Sequence, residues 1–167
     1  MKSIVHHRFI IITVLSLLYI TGLSPRHSFG SPLILTASEG RIPLAGHLDV
    51  FKDETGMLTI QDVRSPTYSS RFRTIPGMLS VGFYQHGAIW LRCTVQRAAN
   101  SPSEWVLEVA PAYNELFELY IPTATGGFDI RRGGTLVPYS KRDIRYRHDL
   151  FRLNFDPSLP TTIYLRI

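Results

Sequence analysis

The pattern of apolar and polar positions is clearest between Ala88 and Tyr120. Ile89, Leu91, Cys93 and Val95 alternate with Trp90, Arg92 and Thr94, the period of a strand with one buried face. Residues 104–109 and 116–121 repeat the signal, and turn-rich segments at 99–103 and 110–114 separate the three runs. Three consecutive strands with short connections predict the middle of an antiparallel sandwich or barrel.

The flanking chain extends this picture. Residues 48–51 predict a first short strand, and 52–56 a turn ending in glycine. Thr59 and Asp62 have the spacing of a capping box, in which each side chain meets the other's backbone N–H at a helix start. That helix ends by Arg64, because Ser65-Pro66 follows. Residues 31–46 read as irregular and 67–78 as a loop, with 79–84 leading into the central strand. Beyond a turn at 123–127, the runs 128–131 and 135–137 flank Gly133-Gly134 and predict a hairpin. Residues 150–155 and 161–167 are the last strands. The expected core is Leu91, Cys93, Val95, Val106, Phe117, Leu119, Leu153 and Ile163.

The N-terminus follows a different rule. Lys2 and Arg8 precede about 15 mostly apolar, uncharged residues from Phe9 to Leu23, and Ser28-Phe29-Gly30 supplies small residues at a cleavage position. The run is short of the roughly 20 residues that span a bilayer. Residues 1–30 are therefore expected to be a signal peptide for export to the periplasm, with an uncleaved anchor as the alternative. Residues 31–43 form a lead-in and 44–167 the exported domain.

Charge narrows the partners. The formal net charge is +5. Lys2, Arg8 and Arg26 are the only charged side chains before residue 31, so the remainder holds 15 basic and 13 acidic groups. That near balance gives no reason to expect nucleic-acid binding. One local excess remains: Arg131, Arg132, Lys141, Arg142, Arg145, Arg147 and Arg152 face only Asp143 and Asp149. It reads equally as a solvated loop or as an anion-facing or membrane-facing patch.

Little reactive chemistry stands out. Cys93, the one cysteine, lies on the apolar face of the central strand, where a thiol packs as a small hydrophobe. His47, His86 and His148 lack metal-ligand spacing, and no nucleophile elbow or phosphate loop occurs. No cofactor, metal or catalytic residue is expected. The second strand face is more suggestive. Trp90 and Arg92 share it, with Trp105, Tyr120, Tyr84, Tyr113 and Tyr146 as expected neighbours. An aromatic plane beside planar donors suits a sugar or a carboxylated ligand. Trp90 as core, with Arg92 anchoring a carboxylate or backbone carbonyls, suits the same residues. The candidate ligand-binding set is Trp90, Arg92, Tyr120, Arg142 and Arg147.

A family resemblance joins these segments. Gly56-Met57-Leu58-Thr59-Ile60-Gln61-Asp62-Val63, the Ile89-Trp90-Leu91-Arg92 strand, Trp105-Val106-Leu107-Glu108-Val109, the segment from Gly133 to Arg142, Leu150-Phe151-Arg152-Leu153 and Thr162-Ile163-Tyr164-Leu165-Arg166 occur in this order. The chain thereby resembles the type-2 extracellular domain of the seven-transmembrane receptors with diverse intracellular signalling modules, over about residues 44–167. The resemblance implies a jelly-roll-like antiparallel β-sandwich similar to carbohydrate-binding modules. It also implies a non-enzymatic periplasmic sensor for a carbohydrate or other small molecule, partnered with a membrane-embedded receptor. Arg92, Arg142 and Arg166 fall on the family's characteristic arginine positions, with no role attached. A protein-interaction module contacting a membrane partner and a carbohydrate-active enzyme are the alternatives.

The family pattern runs on past Ile167 into a further strand and the membrane helices, so the chain reads as a receptor fragment or a free-standing module. Without a further strand, residues 161–167 would be an open sheet edge through which the chain could self-associate, unless Leu33-Ile34-Leu35 fills the place.

Overall fold

Strand β4 (Ala88–Arg97) is the axis of the molecule. Its alternation is real, but both of its faces are covered. Ile89, Leu91, Cys93 and Val95 are buried on one side, and Trp90 and Arg92 on the other. The computed structural model describes residues 30–38, 40–77, 86–110 and 114–167. The expected signal segment up to residue 29, the run 79–84 and Tyr113 lie outside them.

In chain order the elements around β4 begin with β1 (Leu33–Leu35), β2 (Leu48–Asp53), the short helices α1 (Ile60–Arg64) and α2 (Pro66–Ser69), and β3 (Arg73–Thr74). After β4 come β5 (Glu104–Val109), β6 (Phe117–Pro122), β7 (Phe128–Gly133), a 3-10 turn (Tyr139–Lys141), β8 (Asp149–Asn154) and β9 (Thr161–Arg166). Among the described residues one seven-stranded sheet runs β3-β2-β4-β9-β6-β7, with β1 pairing β4, and β5 and β8 form a second sheet. All pairings are antiparallel except β1 with β4. The chain leaves the large sheet for β5, returns for β6 and β7, leaves again for β8 and returns for β9. The expected all-β sandwich of mostly antiparallel sheets is thus the observed fold.

The main core lies between the two sheets. Leu33, Leu35, Cys93, Val95, Phe117, Leu119, Phe151, Leu153, Phe155 and Ile163 form it, with Trp105, Leu107 and Val109 packed against it. Val106, expected in this core, is instead 49% exposed. The parity of β5 decides this: Val106 shares its face with Glu104 and Glu108, whose charged groups do not enter the apolar core, so Trp105, Leu107 and Val109 turn inward.

A second cluster covers the opposite face of the large sheet. Phe51, Trp90, Tyr120 and Tyr164 pack there against Ile60 and Val63 of α1 and Phe72. The Thr59 capping box forms as the sequence predicts, and the last α1 residue is Arg64. The loop expected over 67–78 includes α2 and the two-residue β3. This α1–α2 segment is what turns a one-faced strand into a two-faced one.

Three further expectations change. The predicted 128–137 hairpin is displaced: β7 pairs back on β6 around the 123–127 turn, and residues 135–137 form no strand. Gly134, at φ +112°, makes a sharp exit from β7, where an added Cβ would stand 2.5 Å from the Glu115 carbonyl oxygen. Residues 33–35, read as irregular, form β1, because Leu33 and Leu35 bury their side chains beside Val95 and Cys93. The predicted open edge at 161–167 is an internal strand, hydrogen-bonded to β4 on one side and β6 on the other. It is therefore not a terminal edge of the sheet, although β6 pairs only its Tyr164–Arg166 end, and β1 pairs with β4 rather than beside it.

Candidate functional site

The Trp90–Arg92 face is a closed layer. Register places Asp49 opposite Arg92 and Phe51 opposite Trp90, with Tyr164 and Arg166 opposite the same two residues on the far side. Trp90 is 0% and Arg92 2% exposed. The Arg92 Nε donates to Asp49 Oδ2 at 2.9 Å, and its Nη1 donates to the Ser69 hydroxyl and carbonyl oxygens at 2.9 and 3.2 Å. Its guanidinium carbon stands 4.3 Å from the Phe72 ring centre. Asp49 also accepts from the Thr74 hydroxyl at 2.6 Å. A buried charge needs a partner and hydrogen bonds, and this arrangement supplies both while tying α2 and β3 to the sheet. Of the two readings open to these residues, the geometry is that of the anchor.

Tyr120 joins the layer, its ring 5.4 Å from that of Trp90. Its hydroxyl donates to Glu118 Oε2 at 2.6 Å, and Arg132 donates to Oε1 at 3.1 Å. Burial, then this hydrogen bond, pushes the Tyr120 hydroxyl up to about 12. The same bond holds the Glu118 carboxyl below its usual value, against burial. Arg166 stands over Trp90 and donates to the Gly56 carbonyl at 2.6 Å. Trp90, Arg92 and Tyr120 are thus brought together, but beneath α1 and α2 rather than facing solvent. Trp105, expected near them, packs on the other side of the large sheet.

Arg142 and Arg147 sit elsewhere, in the loop between β7 and β8. Arg142 lies 3.6 Å from Asp149 and donates to the Tyr146 carbonyl at 3.1 Å. Arg147 is exposed and lies 5.9 Å from the Tyr146 ring centre. The arginines on the family positions, Arg92, Arg142 and Arg166, each reach a carboxylate or carbonyl of the chain itself.

An open cleft of about 300 Å³ lies beside β5, lined by Thr36, Ala37, Pro102, Glu104, Trp105 and Val106 among others. The Trp105 indole is held by its Nε1 donating to the Pro102 carbonyl at 2.9 Å. Trp105, Glu104 and Thr36 are thus lining residues of one concavity. From the sequence, Trp105 was expected beside Trp90 and was not among the candidate ligand-binding residues. Its parity with Leu107 and Val109, opposite Glu104 and Glu108, was the signal that separates it from that face. Asp49 was missed as well: a carboxylate in step with the apolar Phe51 on one strand face signals burial beside a partner.

Two ionisable groups complete the inventory. Cys93 is buried, and desolvation with the nearby Asp49 charge pushes its thiol up to about 12, far from the thiolate that reacts at neutral pH. His148 Nδ1 stands 2.5 Å from Glu108, which Arg41 also contacts. Among the described residues no group of three or more His, Cys, Asp or Glu side chains gathers as it would around a metal ion, and no helix is long and apolar enough to cross a membrane.

No curated protein and no solved structure matches the chain. A family described as 7TMR-DISM extracellular 2 matches residues 45–167, which takes in β2 to β9, the second core cluster, the main core apart from the β1 residues Leu33 and Leu35, and the Arg92 anchor. With most of its length in that match, the chain belongs to the 7TMR-DISM extracellular 2 family, a sensor domain on the outer side of membrane receptors.

Proposed function

We propose that the domain is a non-enzymatic periplasmic sensor that binds a carbohydrate or a similar small polar molecule in the Trp105 cleft, and passes occupancy to a membrane-embedded signalling partner. The observation that carries this reading is the cleft itself: the Trp105 indole is held in place, and Glu104 and Thr36 are among the residues that line the same concavity. A pyranose presents an apolar face to an aromatic ring and hydroxyls to polar neighbours, so these groups match its two sides. In this reading Trp90, Arg92 and Tyr120 act as scaffold, since a ligand would have to displace α1 and α2 to touch them. Arg142 shapes the loop before β8, and Arg147 lies apart from the cleft's lining.

The test is a glycan array probed with the protein and with Trp105→Ala. The expected result is a defined set of bound glycans, lost in Trp105→Ala at an unchanged melting temperature. Glycan binding that survives in Trp105→Ala would move the site away from the cleft. An array without binders would remove carbohydrate as the ligand class, and turnover of a bound glycan would overturn the non-enzymatic reading.

A further inference from the structure

The loop between β7 and β8 carries more positive charge than its own fold uses. Its two carboxylates are spoken for. Asp143 Oδ2 accepts from Arg131 Nη1 and from the Arg152 backbone N–H, each at 2.9 Å, and Asp149 is paired with Arg142. These contacts, the Arg142 bond to the Tyr146 carbonyl and a bridge between Ile144 and Leu150 fix the loop from within. Lys141, Arg145 and Arg147 are left exposed, with no carboxylate partner among the described residues. Apolar surface accompanies them: Leu136 is 67%, Tyr139 56% and Tyr146 45% exposed.

That combination is unlike an ordinary solvated basic loop. Tyrosine rings favour the boundary between apolar and aqueous media, with the ring in one and the hydroxyl in the other. Cations beside them favour an anionic headgroup layer. The loop is already ordered by its internal bonds, so docking requires little further ordering. The domain also belongs to a family found on the outer side of membrane receptors, which puts a bilayer within reach.

We propose that residues 136–147 are a membrane-docking loop whose partner is an anionic lipid surface. Lys141, Arg145 and Arg147 meet the headgroups, and Leu136, Tyr139 and Tyr146 enter the interfacial layer. The loop thereby orients the domain against the bilayer. This goes beyond the sensor reading and does not depend on what occupies the Trp105 cleft.

The experiment uses the full chain with Ser140→Cys carrying an environment-sensitive NBD label; Cys93 is buried and stays unlabelled. Because the apolar run 9–23 can itself adhere to any vesicle, the readout must be local to the loop. Vesicles are phosphatidylcholine alone or mixed with phosphatidylglycerol. The expected result is a blue shift and brightening on the anionic vesicles only, suppressed at about 0.5 M salt, where screening shortens to a few ångströms. Each cation at an anionic surface is worth about fivefold in partitioning, so Arg145→Gln with Arg147→Gln should raise the lipid concentration required by about 25-fold. A control, Lys52→Gln with Arg71→Gln, should leave it unchanged. No response to anionic vesicles, an equal response to both lipids, or indifference to the Arg145 and Arg147 changes would overturn the proposal. A response to native membranes but not to protein-free vesicles would also overturn it, by assigning the loop to a membrane protein.

Discussion

Replacing Arg92 by Met tests whether the inner layer is as closed as the geometry says. The methionine fills part of the same volume but leaves Asp49 without its counter-charge in a buried site. The Thr74 hydroxyl still donates to Asp49, whereas the Ser69 carbonyl and hydroxyl lose the donors that hold α2 down. Removing one partner of a buried ion pair costs about 3–5 kcal/mol, against a total margin of about 5–15 kcal/mol for a domain. For a chain of this size that corresponds to a melting temperature lower by roughly 6–20 °C. The assay is thermal and urea unfolding followed by circular dichroism. The double variant Asp49→Leu with Arg92→Met removes both charges and should recover part of the loss, since an apolar replacement of a buried pair is often near neutral. An Arg92→Met protein within about 1 kcal/mol of the parent, little more than a surface pair contributes, would refute the reasoning. So would a double variant no more stable than the single one.

Other expectations follow from single positions. Cys93 should resist alkylation by iodoacetamide at pH 8 in the folded protein and react at the ordinary rate in urea; fast labelling of the native state would contradict its burial and raised pKa. Gly134→Ala should destabilise by at least about 2 kcal/mol, because its φ of +112° is strained for any side chain and the new Cβ would meet two backbone carbonyl oxygens; a denaturation midpoint equal to the parent's would show that the exit from β7 relaxes freely. The Glu118 carboxyl is held below its unfolded value by the Tyr120 hydroxyl, then by Arg132. Its contribution is therefore complete above the unfolded pKa, near 4.3, and is lost as pH falls through the lower folded pKa. Glu118→Gln should accordingly show a smaller loss of melting temperature between pH 6 and pH 3 than the parent, and equal losses would exclude this linkage.

Local structure was written in local residues. The alternation of residues 89–95 marked β4, and charge parity at Glu104 and Glu108 carried the inward face of β5. The Thr59–Asp62 spacing marked the start of α1 and Ser65-Pro66 its end, whereas Gly133-Gly134, which predicted a hairpin, ends β7 with no returning strand. The ordered set of segments was enough to indicate the family and, through it, the sandwich. For the binding residues the sequence offered Trp90 and Arg92 two roles, because an arginine beside a tryptophan on one strand face has the same pattern whether that face is wet or dry. Only the tertiary structure shows the face dry, by laying α1 and α2 over it and by bringing Asp49 across from Arg92. It likewise made β9 internal, by seating it between β4 and β6. Side-chain parity along a strand reports which residues share a face. What covers that face, and which strand lies alongside, depends on contacts such as Trp90 opposite Arg166, between segments far apart in the chain. Those pairings form when whole apolar faces collapse together, and no short window of residues contains them.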